Sequence, residues 1–306
     1  MSATSLTGLP FPVPPDVIER LTRIFSDCND QVTHVLSRIP TVHEEGLDQQ
    51  LITYLTQLGP VSTPTSGWII SIETHFLGGG RHFDRWEIAD IGVIISMRRG
   101  KEVVWSKAAL LQSKRLFPKG TAYDEDSAES RFRWGFGRLL QGYIPLRGQT
   151  DFVFTRQSRY ESLDLSGPQA NRIGVYEEEF RIPVHYLLYN PVAIPWSRAL
   201  PATPPEPTLP VTEIGCRVLR AASLNILHAA NVTKPSYEEV ASLSAPHGFA
   251  GFFAGWRLED FIVSLVLQCH EGRVLGPSFD DAVELLFYRR NYPIAAAFAV
   301  NLEMPD

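Results

Sequence analysis

Four residues set in apolar surroundings define the chemistry this sequence could perform. Asp90 interrupts the run Ile88–Ile95, and Gln112-Ser113-Lys114 closes the run EVVWSKAALLQSK (102–114). A carboxylate among apolar side chains is rarely tolerated unpaired. One explanation for Asp90 is a hydrogen-bonded core or edge residue. The other is chemical. An Asp carboxylate and a Gln carbonyl oxygen are hard ligands suited to Mg²⁺ (or Mn²⁺). A lysine ammonium beside them can orient water or stabilise charge on a phosphorane-like transition state. For Gln112 and Lys114 the plain alternative is an exposed strand end, with Lys114-Arg115 as solvated charge.

The elements that must position these groups can be read from period and punctuation. Thr41-Val42-His43-Glu44 fits a capping box, and Leu47, Leu51, Tyr54, Leu55 and Leu58 follow on one helical stripe until Gly59-Pro60. Strands are predicted over 68–76, 86–97 and 102–113, with 98–101 as a hairpin turn. A helix with Pro in its first turn is predicted over Pro168–Phe180, then a short buried strand, Val184–Tyr189. Gln112 and Lys114 are two apart, so they share a strand face. One obstacle stands: a regular hairpin centred on 98–101 pairs Asp90 with Ala109, three residues short of Gln112. An odd offset puts the two on opposite faces. A bulge, longer loop or strong twist has to absorb it, and Ser106-Lys107 is one place for a bulge.

The order helix–strand–strand–strand–helix–strand, carrying D…QxK, resembles the PD-(D/E)XK nuclease superfamily in the variant where Gln replaces the second acid. The chain is also similar to an uncharacterised bacterial branch with ALLQSKRL-type third strands and YLLYNP-type last strands (109–116 and 186–191 here). The resemblance spans about 41–190. It implies an α/β (α+β) fold with a restriction-endonuclease-like αβββαβ core and a mixed central sheet. It implies Asp90 and Gln112 as metal ligands, a backbone carbonyl from Ser113, Lys114 as the catalytic lysine and Mg²⁺ (or Mn²⁺) as cofactor. The implied activity is that of a metal-dependent endonuclease hydrolysing phosphodiester bonds of nucleic acid, DNA rather than RNA. The implied setting is bacterial restriction or antiphage defense alongside protein partners. The Gln variant and an acidic overall balance also fit a nuclease-like fold without cleavage, acting as a nucleic-acid-binding or complex-assembly module.

In many members of that superfamily a first-helix Glu faces the site. At 100° per residue from Leu47, the apolar stripe spans about −20° to 80°, with Glu44 inside it at about 60° and Glu45 outside at about 160°. Glu44 is therefore a candidate catalytic group and metal ligand, although the capping box accounts for it without function. Glu73 and His75 on the first strand and Gln169 on the later helix could reach the site; a solvated strand face and helix-end decoration explain them better. Residues 96–147 hold 11 Lys or Arg against 5 acids, in a chain of net charge −6. That local excess suits a polyanion, with Arg98, Arg99, Arg115, Arg131 and Arg133 as candidate nucleic-acid contacts. A solvated amphipathic helix explains the last two nearly as well.

The remaining features exclude more than they propose. With 44% hydrophobic and 20% charged residues among 306, the chain is neither disordered, collagen-like nor coiled-coil. The net charge of −6 excludes a uniformly basic nucleic-acid coat. Three separated cysteines form no CxxC pair, so a cysteine zinc cage and a disulfide framework are not expected. With no secretory leader or membrane span legible, a cytoplasmic protein without membrane partners is expected; a homo-oligomer is compatible. No GxSxG, HExxH, GxGxxG or EF-hand pattern is present. Expected organisation is a helical extension over 1–40, as one helix or as two short ones broken near Asn29-Asp30, then the core over 41–190 with an insertion at about 115–160. A Pro-rich linker over 191–210 and a mainly helical region over 211–306, ending in a strand at Ile294–Leu302, complete it.

Overall fold

The structure, a computed structural model, describes residues 12–76, 88–124, 127–140, 150–200, 214–243, 255–268, 270–275 and 294–305. Its N-terminal helix α1, Pro15–Arg38, begins with Pro in its first turn and runs unbroken through Asn29-Asp30. Of the two readings, the single helix is the one observed, and Asn29 is accommodated in it because it is buried and satisfied from its side chain. Its amide donates to Glu259 (3.1 Å), and its oxygen accepts from the Cys216 backbone N–H (2.8 Å) and the Thr33 hydroxyl (3.2 Å). Helix α2, Glu44–Thr56, starts after His43 with no side-chain cap. Thr41 lies in the preceding turn, so the expected capping box does not form.

The remaining elements are β1 (Val61–Ser62), β2 (Ile69–Phe76), β3 (Ala89–Arg99), β4 (Glu102–Arg115), α3 (Ala128–Leu140), β5 (Thr150–Phe154), α4 (Pro168–Phe180), β6 (Val184–Tyr189), β7 (Trp196–Leu200) and β8 (Arg217–Arg220), followed by α5 (Asn225–Ala229), α6 (Tyr237–Ala241), β9 (Trp256–Arg257), α7 (Leu258–Asp260, continuing as a π-type turn over Phe261–Leu267), β10 (Arg273–Leu275) and β11 (Ile294–Met304). The fold is mixed α/β around a mixed sheet ordered β1-β2-β11-β3-β4-β6-β8-β9, with β10 also paired to β4.

The three expected strands do not form a simple meander. Strand β11 lies between β2 and β3, antiparallel to the first and parallel to the second. Its sequence, IAAAFAVNLEM, is apolar on both faces for most of its length, which suits a strand covered on both sides. Phe298 of β11 packs on Phe25 of α1, ring centroids 5.6 Å apart, and burying each such ring is worth about 1.5–3 kcal/mol. One apolar cluster runs from Val17 to Met304. Among its described residues the C-terminal region holds helices α5, α6 and α7, and it also supplies β8 and β11 to the sheet that carries the motif. Residues 276–293 of that region lie outside the described residues.

The described part of the Pro-rich stretch, 191–200, packs on the fold. Val192 is buried and its N–H donates to Ser37 Oγ (2.8 Å), and β7 pairs with β5 in a separate two-stranded sheet. Its continuation over 201–213 is outside the described residues.

Candidate active site

The geometric obstacle in the β3–β4 hairpin is resolved in two places. Arg99 pairs with Glu102, so the turn is Gly100-Lys101, centred one residue later than 98–101; Gly100 takes the left-handed φ of +56° that this turn requires. That moves every partner by two. The register then slips once more between Met97 and Arg98: Arg98 faces Val103, Met97 faces Trp105, and Val104 is the extra residue. The bulge sits beside the turn, and Ser106-Lys107 is regular ladder opposite Ser96 and Ile95. Beyond Ile91–Leu111, one further step sets Asp90 beside Gln112.

Asp90 Oδ2 accepts the Gln112 side-chain amide and the Ser113 backbone N–H, the latter at 2.7 Å. Gln112 is 2% exposed, and its Oε1 is shielded from solvent without a hydrogen-bond partner. A buried carbonyl oxygen left unsatisfied costs about 1–3 kcal/mol. Ser113 points to the opposite face, where its hydroxyl donates to Asp48 Oδ1 (2.5 Å). The Tyr189 hydroxyl, at the end of β6, donates to the same oxygen (2.6 Å). Burial raises the Asp48 carboxyl to about 7, against the opposing pull of the Ser113 and Tyr189 hydroxyls and the Lys114 charge. Burial, then the Asp48 charge, pushes the Tyr189 phenol well above its usual range.

Glu44, released from any capping role, closes over the C-terminal end of β4. Its Oε1 accepts the Arg115 backbone N–H (2.9 Å) and the Ser162 hydroxyl, and its Oε2 lies 3.8 Å from Lys114 Nζ. Lys114 is fully buried. Asp90, Gln112, Lys114 and Glu44 thus meet at one end of the sheet through the β3–β4 register and the first turn of α2.

Asp48, Tyr189 and Ser162 were not singled out from sequence. Asp48 had a legible signal: it lies four residues after Glu44, at about 100° on the same wheel, just past the edge of the apolar stripe. Tyr189 and Ser162 carried none beyond their places at a strand end and in a loop.

Other candidates fall elsewhere. Arg115 is withdrawn as a nucleic-acid contact, because its guanidinium is buried and held by main-chain carbonyls. Nη2 donates to Pro40 (2.7 Å) and Leu116 (3.1 Å), and Nη1 to Val42. It faces the rings of Phe117 (4.5 Å) and Trp134 (5.4 Å), and burial pulls its pKa down to about 9. Arg98 and Arg99 lie at the far end of β3, about 26 and about 30 Å from Asp90 at about 3.3 Å per residue. They cannot serve a phosphate held at Asp90. Arg131 pairs with Glu45 and Arg133 with Glu129, the latter an exposed pair. Glu73 accepts from Asn301 (2.9 Å), whose oxygen accepts from Ser96 (2.6 Å), so it serves the sheet and not the Asp90 cluster. His75 is exposed on β2. Gln169 is half-buried in the first turn of α4. The Gly78–Arg85 loop lies outside the described residues.

The donor chemistry fits a divalent cation in one respect: Asp90 supplies a carboxylate, and Gln112 Oε1, buried without a hydrogen-bond partner, is a hard oxygen. Among the described residues no group of three or more His, Cys, Asp or Glu side chains is disposed to hold a metal, so a site here depends on the amide oxygen. Also among the described residues, no helix is long and apolar enough to cross a membrane. The chain matches no protein-family model, and comparison with curated proteins and with solved structures finds no significant similarity.

Proposed function

We propose that this chain is a Mg²⁺-dependent (or Mn²⁺-dependent) nuclease of the PD-(D/E)XK type that hydrolyses backbone phosphodiesters of nucleic acid, DNA in preference to RNA. The observation that carries the reading is the pairing of Asp90 with Gln112, whose Oε1 has no partner, beside Lys114 at one end of the sheet. Asp90 and Gln112 would hold the cation, with the Ser113 carbonyl as a further ligand. When bound, the cation supplies Lewis-acid polarisation of a phosphate oxygen.

The chain's own residues do the rest. Lys114 Nζ donates to the water or to the phosphate oxygens and stabilises the charge that grows there. Glu44 fixes Lys114 from the helix side and is a positioning residue for it. Asp48 and Tyr189 hold Ser113, whose N–H in turn holds Asp90. Hydrolysis forms one P–O bond from water and breaks one to the departing nucleoside oxygen, which leaves as a hydroxyl.

The test is cleavage of plasmid and single-stranded DNA with Mg²⁺, comparing wild type with Asp90→Ala and Lys114→Ala. A loss of at least 10²-fold in both variants is expected for groups acting on the transition state. Equal cleavage by all three removes the site. If cleavage holds, a phage-plaque assay with Lys114→Ala tests a defense role: equal protection by variant and wild type removes the nuclease explanation.

A second reading has its own support. Lys114 is wholly buried and Asp90 is engaged by two donors, an arrangement that also suits a fold whose cleavage has lapsed and which binds nucleic acid. Calorimetry separates the two. Retained DNA binding with no Mg²⁺ or Mn²⁺ uptake selects the binding module.

A further inference from the structure

A cleft of about 540 Å³ opens just beyond the C-terminal end of β4, between the loop that follows the strand, helix α3 and strand β5. That volume falls in the range of small-molecule sites, roughly 300–1,000 Å³, and admits a single nucleotide but not a duplex. Its wall is aromatic: Trp134 and Phe152 meet edge to face, centroids 6.1 Å apart, and Trp134 leans on Phe117 at 5.4 Å. Its lining is also charged: it includes the cations Lys119 and Arg133 and the carboxylates of Glu129 and Asp151.

The cleft is also tied to the Asp90 cluster. Pro118, on its wall, is four residues after Lys114, a span of at most about 14 Å of extended chain. A nucleic-acid strand rises about 3.4 Å per nucleotide, so the cleft lies within a few nucleotides of a phosphate at Lys114. The Trp134 ring that lines it also contacts the Arg115 guanidinium, whose backbone N–H donates to Glu44.

We propose that this cleft is a nucleotide subsite, taking one unpaired base of the substrate strand against Trp134 and Phe152, with Lys119 and Arg133 on its phosphate. The aromatic wall supplies stacking, which every base can use. Glu129 and Asp151 supply acceptors for the amino and imino N–H groups that distinguish bases. Arg133 already bonds Glu129, so an arriving phosphate competes for an exposed, weak ion pair and breaks no buried one. The inference extends the nuclease reading to substrate form: the strand must be single or locally opened to enter.

The experiment is isothermal titration of the full chain in EDTA with dAMP, dGMP, dCMP and TMP, with inorganic phosphate as the control. Binding without metal is independent of cleavage, so its failure and the failure of the nuclease reading are told apart. At least one mononucleotide is expected to bind about tenfold or more tighter than phosphate. Trp134→Ala should weaken it about tenfold, Trp134→Phe should keep most of the affinity, and Lys119→Glu should weaken it with an unchanged melting temperature. If Trp134→Ala does not fold, Lys119→Glu carries the decision. Nucleotides binding no better than phosphate, or affinity unmoved by Lys119→Glu or by a folded Trp134→Ala, overturns the proposal.

Discussion

Asp48→Asn should make the protein more stable at pH 8 and leave it nearly unchanged at pH 4. In the folded chain the Asp48 carboxyl is raised from its ordinary value of 3.8 to about 7, chiefly by burial. Unfolded, it ionises near the ordinary value, so between about pH 4 and 7 the native state holds a proton that the unfolded state has released. Stability therefore falls as pH rises through this window. The shift of about three pH units corresponds to about 4 kcal/mol at about 1.4 kcal/mol per unit. An asparagine oxygen can accept the same two hydroxyls, from Ser113 and Tyr189, and carries no charge to desolvate. The assay is urea unfolding of both proteins from pH 4 to 9. The difference between the curves cancels titrations elsewhere in the chain. A wild type that trails Asp48→Asn by up to about 4 kcal/mol above pH 7, and matches it near pH 4, is expected. A difference that is flat with pH, or that opens toward acid, would refute the burial argument.

Other consequences are quicker to check. Tyr189→Phe removes one donor from the Asp48 carboxylate and should cost about 1.5–3 kcal/mol at pH 8 and less at pH 5, read by chemical denaturation. Arg115→Met strands the carbonyls of Pro40 and Val42 and should cost about 3 kcal/mol, while the salt dependence of DNA binding stays the same; a shallower salt slope would restore Arg115 as a phosphate contact. Gly272→Ala puts a Cβ 2.6 Å from the Ala108 carbonyl oxygen at φ +76°, so its thermal unfolding midpoint should drop by several degrees, as expected for about 2–3 kcal/mol.

Much of this fold follows from local signals. Pro168–Phe180 and Val184–Tyr189 are a helix and a strand as their punctuation indicates, because Pro at a first turn and a short apolar run bounded by Pro and Asn act locally. What local signals cannot carry is pairing. Ile294–Leu302 reads as a strand, yet nothing in its own residues says that it enters between β2 and β3, about 200 residues earlier in the chain; only the apolar character of both faces hints at a central place. The hairpin offset shows the same division. That a bulge or longer loop had to absorb an odd offset between Asp90 and Gln112 was legible from spacing and face alternation. Its location at Val104 was not, since a bulge next to a turn has no distinctive residue here.

The candidate site divides along the same line. Asp90, Gln112, Lys114 and Glu44 stand out as polar groups at apolar positions, and all four gather at one end of the sheet. Arg115 stood out for its charge, but its burial depends on where the chain before α2 passes. The carbonyls of Pro40 and Val42 become its partners only through packing. Asp48 was visible on the wheel, while its two hydroxyl donors come from strands 65 and 141 residues away.

The most direct measurement is a crystal structure of the full chain soaked in Mn²⁺, with anomalous scattering used to locate the ion. One strong peak in contact with an Asp90 carboxylate oxygen and Gln112 Oε1 is expected, absent in crystals of Asp90→Ala. A Mn²⁺-saturated crystal with no peak there, and with the Gln112 amide still donating to Asp90, would contradict the metal site.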